Sequence, residues 1–240
     1  MTGAPALEAR DPVAEFARIG VTAFTTTRAA GDFALAAPVP DAGCLARWTA
    51  MQAALAPAAP GVVSSVQVHG TGVAKHTRPW VGLRRLEGID AHVVTVPGAA
   101  AVTVADCVPV FLAHPTGAVG IVHAGWRGTA ARVLPEAMAH FAAAGLDPAD
   151  LLVHLGPAIC GRCYEVGPDV YEQLTGWQTI RHRHVDLRAL LAEQAKAAGA
   201  VRLSASPWCT RCDNDRFFSH RAGDAGRQIS VVVAGAGGGP

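Results

Sequence analysis

The sequence predicts an α+β fold, a single layered domain in which mixed β-sheets are packed by helices. Three observations predict it. Short β-branched segments and amphipathic helical stretches mix without a strict βαβα rhythm. Hydrophobic residues make up 50% of the 240 residues and charged residues only 16%, against a usual ~25% charged. Such a chain has a large core to bury and little charge to hold it open. No internal repeat or linker divides the sequence, so residues 21–233 read as one unit. A loosely packed polar segment over 1–20 precedes it, and a flexible glycine-rich tail over 234–240 follows.

Residues 21–27 (VTAFTTT) predict the first strand, and residues 29–43, with Gly, Asp and Pro, a loop. Leu45, Trp48, Gln52 and Leu55 share a helical face that stops before Pro57. Residues 62–68, 92–96, 101–105, 108–113 and 118–122 predict short strands, with turns at Pro97-Gly98 and Pro115-Thr116-Gly117. A helix follows over 129–143, with Val133, Leu134, Ala137, Met138 and Phe141 inward; Pro135 requires it to start late or to bend. LLVHLG at 151–156 is a strand. Pro168 and Asp169 open a short helix, and Asp186 caps a longer one that ends at Gly199. QISVVV at 228–233 is the last strand.

Net charge is +1, from 20 basic and 19 acidic residues. That balance offers nothing to nucleic acid or an acidic membrane surface. No apolar stretch reaches the ~18 residues of a membrane span. The start, MTGAPALEAR, lacks a basic region followed by an apolar core. A cytoplasmic protein is expected, a monomer or weak homodimer.

The composition leaves a surplus of ten histidines and six cysteines. Cys160–Cys163 and Cys209–Cys212 have the C-x-x-C spacing of structural zinc sites. A compact zinc ribbon needs about 15–20 residues between its pairs, whereas 45 residues separate these and include a helix. The two pairs are therefore read as small buried apolar residues.

Three segments carry chemistry: QVHG at 67–70, ADCVPV at 105–110 and HAGWRG at 123–128. They place His69, Cys107 and His123 where strands meet loops, positions that are rigid yet open to solvent. Two histidines and a cysteine suffice for a catalytic zinc, which takes three protein ligands and keeps a fourth position for water or substrate. Their spacing excludes a zinc finger but equally fits two hydrogen-bonded histidines and an unconnected thiol. In HAGWRG, Gly125 and Gly128 permit close backbone approach, and Arg127 with the following helix amides suits an anion such as phosphate. The alternative is a tight turn in which Trp126 packs on the sheet.

Together with GPAICGRCYEVG at 156–167 and the CT…FFSHR…GR pattern at 209–227, these segments resemble, in order, the bacterial laccase-domain family. Its members have been called multicopper polyphenol oxidases and purine nucleoside phosphorylases. The resemblance spans residues 20–233. It implies a zinc ion, one per chain, on His69, Cys107 and His123, and a substrate-contacting arginine at the position of Arg47. Gln67 matches a glutamine that fixes a ligand, contacts substrate or pairs with backbone. The implied reaction is phosphorolysis of adenosine, inosine or methylthioadenosine to base and ribose-1-phosphate, with adenosine deamination as a companion. Cys107, His69, His123 and Asp106 form the implied catalytic group, and Arg47, Gln67 and Arg127 the substrate-binding group. Asp106 either protonates the leaving purine or orients a zinc ligand.

This chain departs from the family where the glycine-rich segment before the first long helix is shortened to AAGDFALAAPVPDAG, and where His220 with the single Arg221 replaces an aromatic residue and an arginine pair. Alternatives use the same residues. Without a metal, Cys107 is a thiolate nucleophile with His123 or His69 as base, in a hydrolase. A copper polyphenol oxidase needs many His-x-His pairs and a Cys flanked by His; only His182–His184 has that spacing, so copper is expected only as an adventitious substitute for zinc. A non-catalytic metal-binding protein is the third alternative.

Overall fold

In the computed structural model, which describes residues 8–35 and 42–235, β1 (Arg10–Pro12), α1 (Ala14–Ala17), β2 (Thr22–Thr26) and α2 (Ala42–Leu55) lead into β3 (Gly61–Val66), β4 (Val73–His76) and β5 (Gly82–Glu87). The middle of the chain holds β6 (Ala91–Val94), β7 (Ala99–Val104), β8 (Val108–Ala113), β9 (Val119–Ala124), α3 (Trp126–Ala130), α4 (Val133–Ala142) and β10 (Leu152–Leu155). The last third holds β11 (Glu165–Val166), α5 (Pro168–Thr175), β12 (Arg183–His184), α6 (Leu187–Ala197), β13 (Arg202–Ala205) and β14 (Gln228–Val233).

The strands form two six-stranded mixed sheets, ordered β1-β2-β14-β7-β3-β5 and β13-β10-β8-β9-β6-β4, and a small β11-β12 ribbon. Side chains alternate across each strand, and the central strands β8, β9 and β14 are buried on both faces. Val63, Val102 and Val104 of the first sheet meet Phe111, Val119 and Ile121 of the second. Outside the first sheet, Trp48, Met51 and Leu55 of α2 cover Val62, Ile229 and Val231. Outside the second, Leu134 and Phe141 of α4 and Leu191 of α6 cover Val110, Leu112 and Val122. Burial on both faces explains why VPVFLA and QISVVV lack clean alternation of polar and apolar residues. The α+β class and the layered mixed sheets agree with expectation.

Several details differ. The 129–143 helix is two helices, broken at Arg132, whose φ of 65° is left-handed. Pro135 then falls in the first turn of α4, where its missing N–H leaves no helical bond unmade. Leu45 is 51% exposed; the inward stripe of α2 is Cys44, Trp48, Met51 and Leu55. The N-terminal segment is not loose within the described residues: β1 pairs with β2, and Val13 and Phe16 are buried. Of the expected tail, Ala234 is buried and the Gly235 N–H donates to the Gly117 carbonyl. Residues 1–7, 36–41 and 236–240, including part of the shortened segment, lie outside the described residues. No described helix is long and apolar enough to cross a membrane.

Candidate metal centre

The chain crosses from the first sheet to the second at Ala105-Asp106-Cys107, between β7 and β8. Pairing of β8 with β9 sets Pro109 opposite His123, which brings the end of β9 beside that crossing. The loop leaving β3 carries His69 to the same seam. One ligand atom from each of His69, Cys107 and His123 lies within 4.8 Å of the others. His69 Nε2 is 3.9 Å from Cys107 Sγ, and the two imidazoles meet edge to face with centroids 4.7 Å apart.

Asp90, immediately before β6, organises this group. Its buried carboxylate accepts the Val68, His69 and Gly70 N–H groups at 3.2, 2.9 and 2.8 Å. That cradle holds His69 at a φ of 59°, a left-handed conformation uncommon for a residue with a Cβ. The same carboxylate accepts the His123 Nδ1–H at 2.8 Å, so it is Nε2 that would give up its proton and present a lone pair to a metal. Gly125 leaves room for the ligands: a Cβ there would stand 2.8 Å from the His69 ring and 3.0 Å from Cys107 Sγ.

The electrostatics suit a thiolate. Burial opposes the charge on Cys107, but the neighbouring charge of His123 and hydrogen bonds from both histidines outweigh it, holding the thiol down to about 6. Burial likewise opposes the His123 imidazolium, and the Cys107 and Asp90 charges overcome it, raising His123 to about 9. Asp90 is held below the ordinary carboxylate range against its burial, through His123 and the backbone N–H groups. Deeper in the seam, burial and the His76 charge press His92 down to about 3. His92 is therefore neutral, bridging His76 and Ser65 by hydrogen bonds.

The three residues border a cavity of about 650 Å³ whose lining includes Trp48, Ser65, Gln67, Arg85, His220 and Arg227. Gln67 pairs with backbone: its Nε2 donates to the Thr103 carbonyl and its Oε1 accepts the Thr103 N–H. Arg47 does not line the cavity; its Nε donates to the carbonyl of Asp32, which does. Arg127 is exposed, stacked on Trp126 and outside the lining. The Asp106 carboxylate also turns away from the cavity, at a φ of 81°. It accepts the Thr210 hydroxyl at 2.6 Å and the Arg221 N–H at 2.7 Å, and it is not part of the His69, Cys107 and His123 group. Asp90 and Arg85 were missed in the sequence, and Arg227 entered only as the end of the GR pattern, without a role; the isolation of Asp90 before an apolar strand hinted at it.

The two C-x-x-C pairs, expected to be packing residues, instead converge: their four sulfurs lie within 4.8 Å of one another. His184 in β12 and His182 just before it are both exposed, which agrees with a solvated face.

A family model described as multi-copper polyphenol oxidoreductase laccase matches residues 42–235. A purine nucleoside phosphorylase of Streptomyces coelicolor is 39% identical over 183 residues, covering 71% of this chain and 74% of that protein. A protein of an unknown prokaryotic organism named adenosine deaminase is 35% identical over 151 residues, 57% of this chain and 58% of the relative. The solved structure of the Bacillus licheniformis hypothetical protein YfiH superposes with a TM-score of 0.84 at 25% identity, covering 94% of this chain and 96% of the other.

Proposed function

Since the chain belongs to the multi-copper polyphenol oxidoreductase laccase family, and relatives in the comparison carry the names purine nucleoside phosphorylase and adenosine deaminase, we propose that it is a zinc-dependent purine nucleoside phosphorylase. Adenosine, inosine and methylthioadenosine are its substrates with inorganic phosphate, adenosine deamination is a companion activity, and the catalytic unit spans residues 21–233. The observation that carries this reading is the donor set: two imidazoles and a thiolate-prone cysteine converge beside a cavity large enough for a small ligand.

Three protein donors of this chemistry fit zinc with one position left open. His69, Cys107 and His123 would hold the ion, which, when bound, supplies Lewis acidity toward an oxygen of water or substrate. The chain's own residues do the rest. Asp90 fixes the His123 tautomer and shapes the backbone that presents His69. Arg85 and Arg227 line the cavity; one Nη of each donates to backbone carbonyls, of Leu35 for Arg85 and of Asp224, Ala225 and Gly226 for Arg227, and their positive charge is suited to phosphate. Trp48, Val66 and Val104 give it apolar walls for a purine. In phosphorolysis a phosphate oxygen forms a bond to ribose C1′, and the C1′–N9 electron pair leaves with the purine, which takes up a proton. Arg47 and Asp106 are positioning residues, acting through Asp32 and through the Cys107 turn.

The low-lying Cys107 thiol beside a readily protonated His123 also favours a second reading, a metal-independent Cys–His hydrolase. One experiment tests both: adenosine, inosine and methylthioadenosine with and without phosphate, and a panel of simple esters and amides, using zinc-loaded protein, metal-stripped protein and Cys107→Ala. Expected are base and the sugar 1-phosphate only with phosphate and zinc, and loss of both with Cys107→Ala. No base released from any nucleoside would overturn the phosphorylase; an ester or amide hydrolysed by the metal-stripped protein would select the hydrolase.

A further inference from the structure

We propose that Cys160, Cys163, Cys209 and Cys212 bind a second, structural zinc ion. The 45 residues between the pairs argue against a local ribbon, but topology removes the objection. β10 and β13 are parallel neighbours with Leu155 opposite Ala205. The chain therefore leaves the same sheet edge twice, side by side, and reaches Cys160 five residues after Leu155 and Cys209 four residues after Ala205. A further parallel bridge joins Ala158 to Cys209. The intervening α5, β11, β12 and α6 are an excursion that returns to its starting point.

The local geometry is that of a thiolate site. All four sulfurs lie within 4.8 Å of one another; tetrahedral zinc with Zn–S near ~2.3 Å sets them about 3.8 Å apart. Each pair sits in a turn, with the Cys163 N–H on the Cys160 carbonyl and the Asp213 N–H on the Cys209 carbonyl. Cys209 Sγ accepts two backbone N–H groups, from Cys160 at 3.2 Å and Cys212 at 3.4 Å, the environment of a charged sulfur rather than an apolar one. Packing does not account for the cluster, because only Cys209 is buried and Cys212 is exposed. Among the described residues the metal-capable group here is the four sulfurs, and four sulfurs in a closed set leave no open position, which suits a structural ion and not a catalytic one.

The ion would fasten the loop after β10 to the loop after β13. Both press on the Asp106 turn: the Ile159 N–H donates to the Asp106 carbonyl at 3.1 Å, and Thr210 holds its carboxylate. The zinc thus buttresses the backbone that presents Cys107 without touching the cavity.

The test is elemental analysis and zinc-edge X-ray absorption of Cys107→Ala, which removes one ligand of the other group. Expected is about one zinc per chain with an all-sulfur shell near ~2.3 Å. Adding Cys163→Ser and Cys212→Ser should abolish this zinc and lower Tm. Should that variant fail to fold, the absorption spectrum of Cys107→Ala decides alone. Metal-free Cys107→Ala protein, iron in place of zinc, nitrogen in the shell, or a Cys163–Cys212 disulfide without metal would each overturn the proposal. An inactive wild type that still holds all-sulfur zinc would count against the phosphorylase reading only.

Discussion

The two clusters of metal-capable residues are built on opposite plans. His69, Cys107 and His123 come from three segments at a seam between sheets, and their three donor atoms border a cavity. A buried carboxylate outside the cluster, Asp90, orients two of the three. The four cysteines come from two adjacent loops, and their support is local: Cys209 Sγ accepts the Cys160 and Cys212 N–H groups, and the Asp213 carboxylate, four residues along the same loop, accepts the Cys209 N–H. The difference teaches how a chain divides metal chemistry. An incomplete donor set needs a rigid frame reaching in from elsewhere in the fold to keep its open position in shape, whereas a complete set is supported from within its own loops.

The largest expected effect that would break this comparison is at Asp90. Asp90→Asn turns an N–H₂ group toward donors that now bind a carboxylate. Affinity for zinc at the His69 group should fall by roughly 10–100-fold, as outer-shell changes do, and phosphorolysis should fall with it. The cysteine cluster should keep its zinc. Competition with a chelating dye, read on Asp90→Asn beside wild type, checks both. Equal losses at the two clusters would mean that Asp90 supports the fold rather than one centre.

A smaller effect is expected at Gly125. Gly125→Ala places a methyl group 2.8 Å from the His69 ring and 3.0 Å from Cys107 Sγ. Overpacking of this kind costs about 1–3 kcal/mol, so the protein should fold with a lower Tm. The displaced ligands should weaken zinc at this centre about tenfold, near the lower end of the outer-shell range. Unchanged affinity would show that the turn yields and that Gly125 serves the backbone of HAGWRG alone.

The sequence made the layers legible where burial on two faces leaves a strong pattern, as in VPVFLA and QISVVV. It did not make β5 legible, because GLRRLE is a largely exposed edge strand whose charges suit an edge and hide a strand. The metal-capable trio was legible through its motifs. Its frame was not, because Asp90 acts through backbone N–H groups and leaves no spacing rule. Arg47 was expected at substrate from its place in the family resemblance and Arg127 because arginine beside helix amides suits an anion; Arg47 donates to the Asp32 carbonyl and Arg127 stacks on the Trp126 indole. The cysteine cluster was misread for a topological reason. Sequence distance between the pairs measured the excursion, while the parallel pairing of β10 and β13 set the distance in space.

The smallest effect sharpens the comparison most, because it concerns the charge state of one thiol. With metal removed, Cys107 has a pKa held down to about 6 where an ordinary thiol sits near ~8.5. The reactive form is the thiolate, so alkylation by iodoacetamide should be fully developed at pH 7 and should fade as pH falls through about 6. The rate itself should rise only a few-fold over an ordinary thiol at pH 7. Thiolate nucleophilicity falls with pKa at a Brønsted slope of about 0.4–0.5, which cancels most of the roughly thirtyfold gain in thiolate fraction. The midpoint of the pH profile, followed by peptide mass spectrometry at Cys107, is therefore the measurement, not the rate. His123→Gln removes the imidazolium that outweighs burial, so its midpoint should move up toward the ordinary thiol value. A wild-type midpoint already at that value would show that the frame built by Asp90 positions the imidazole without charging it.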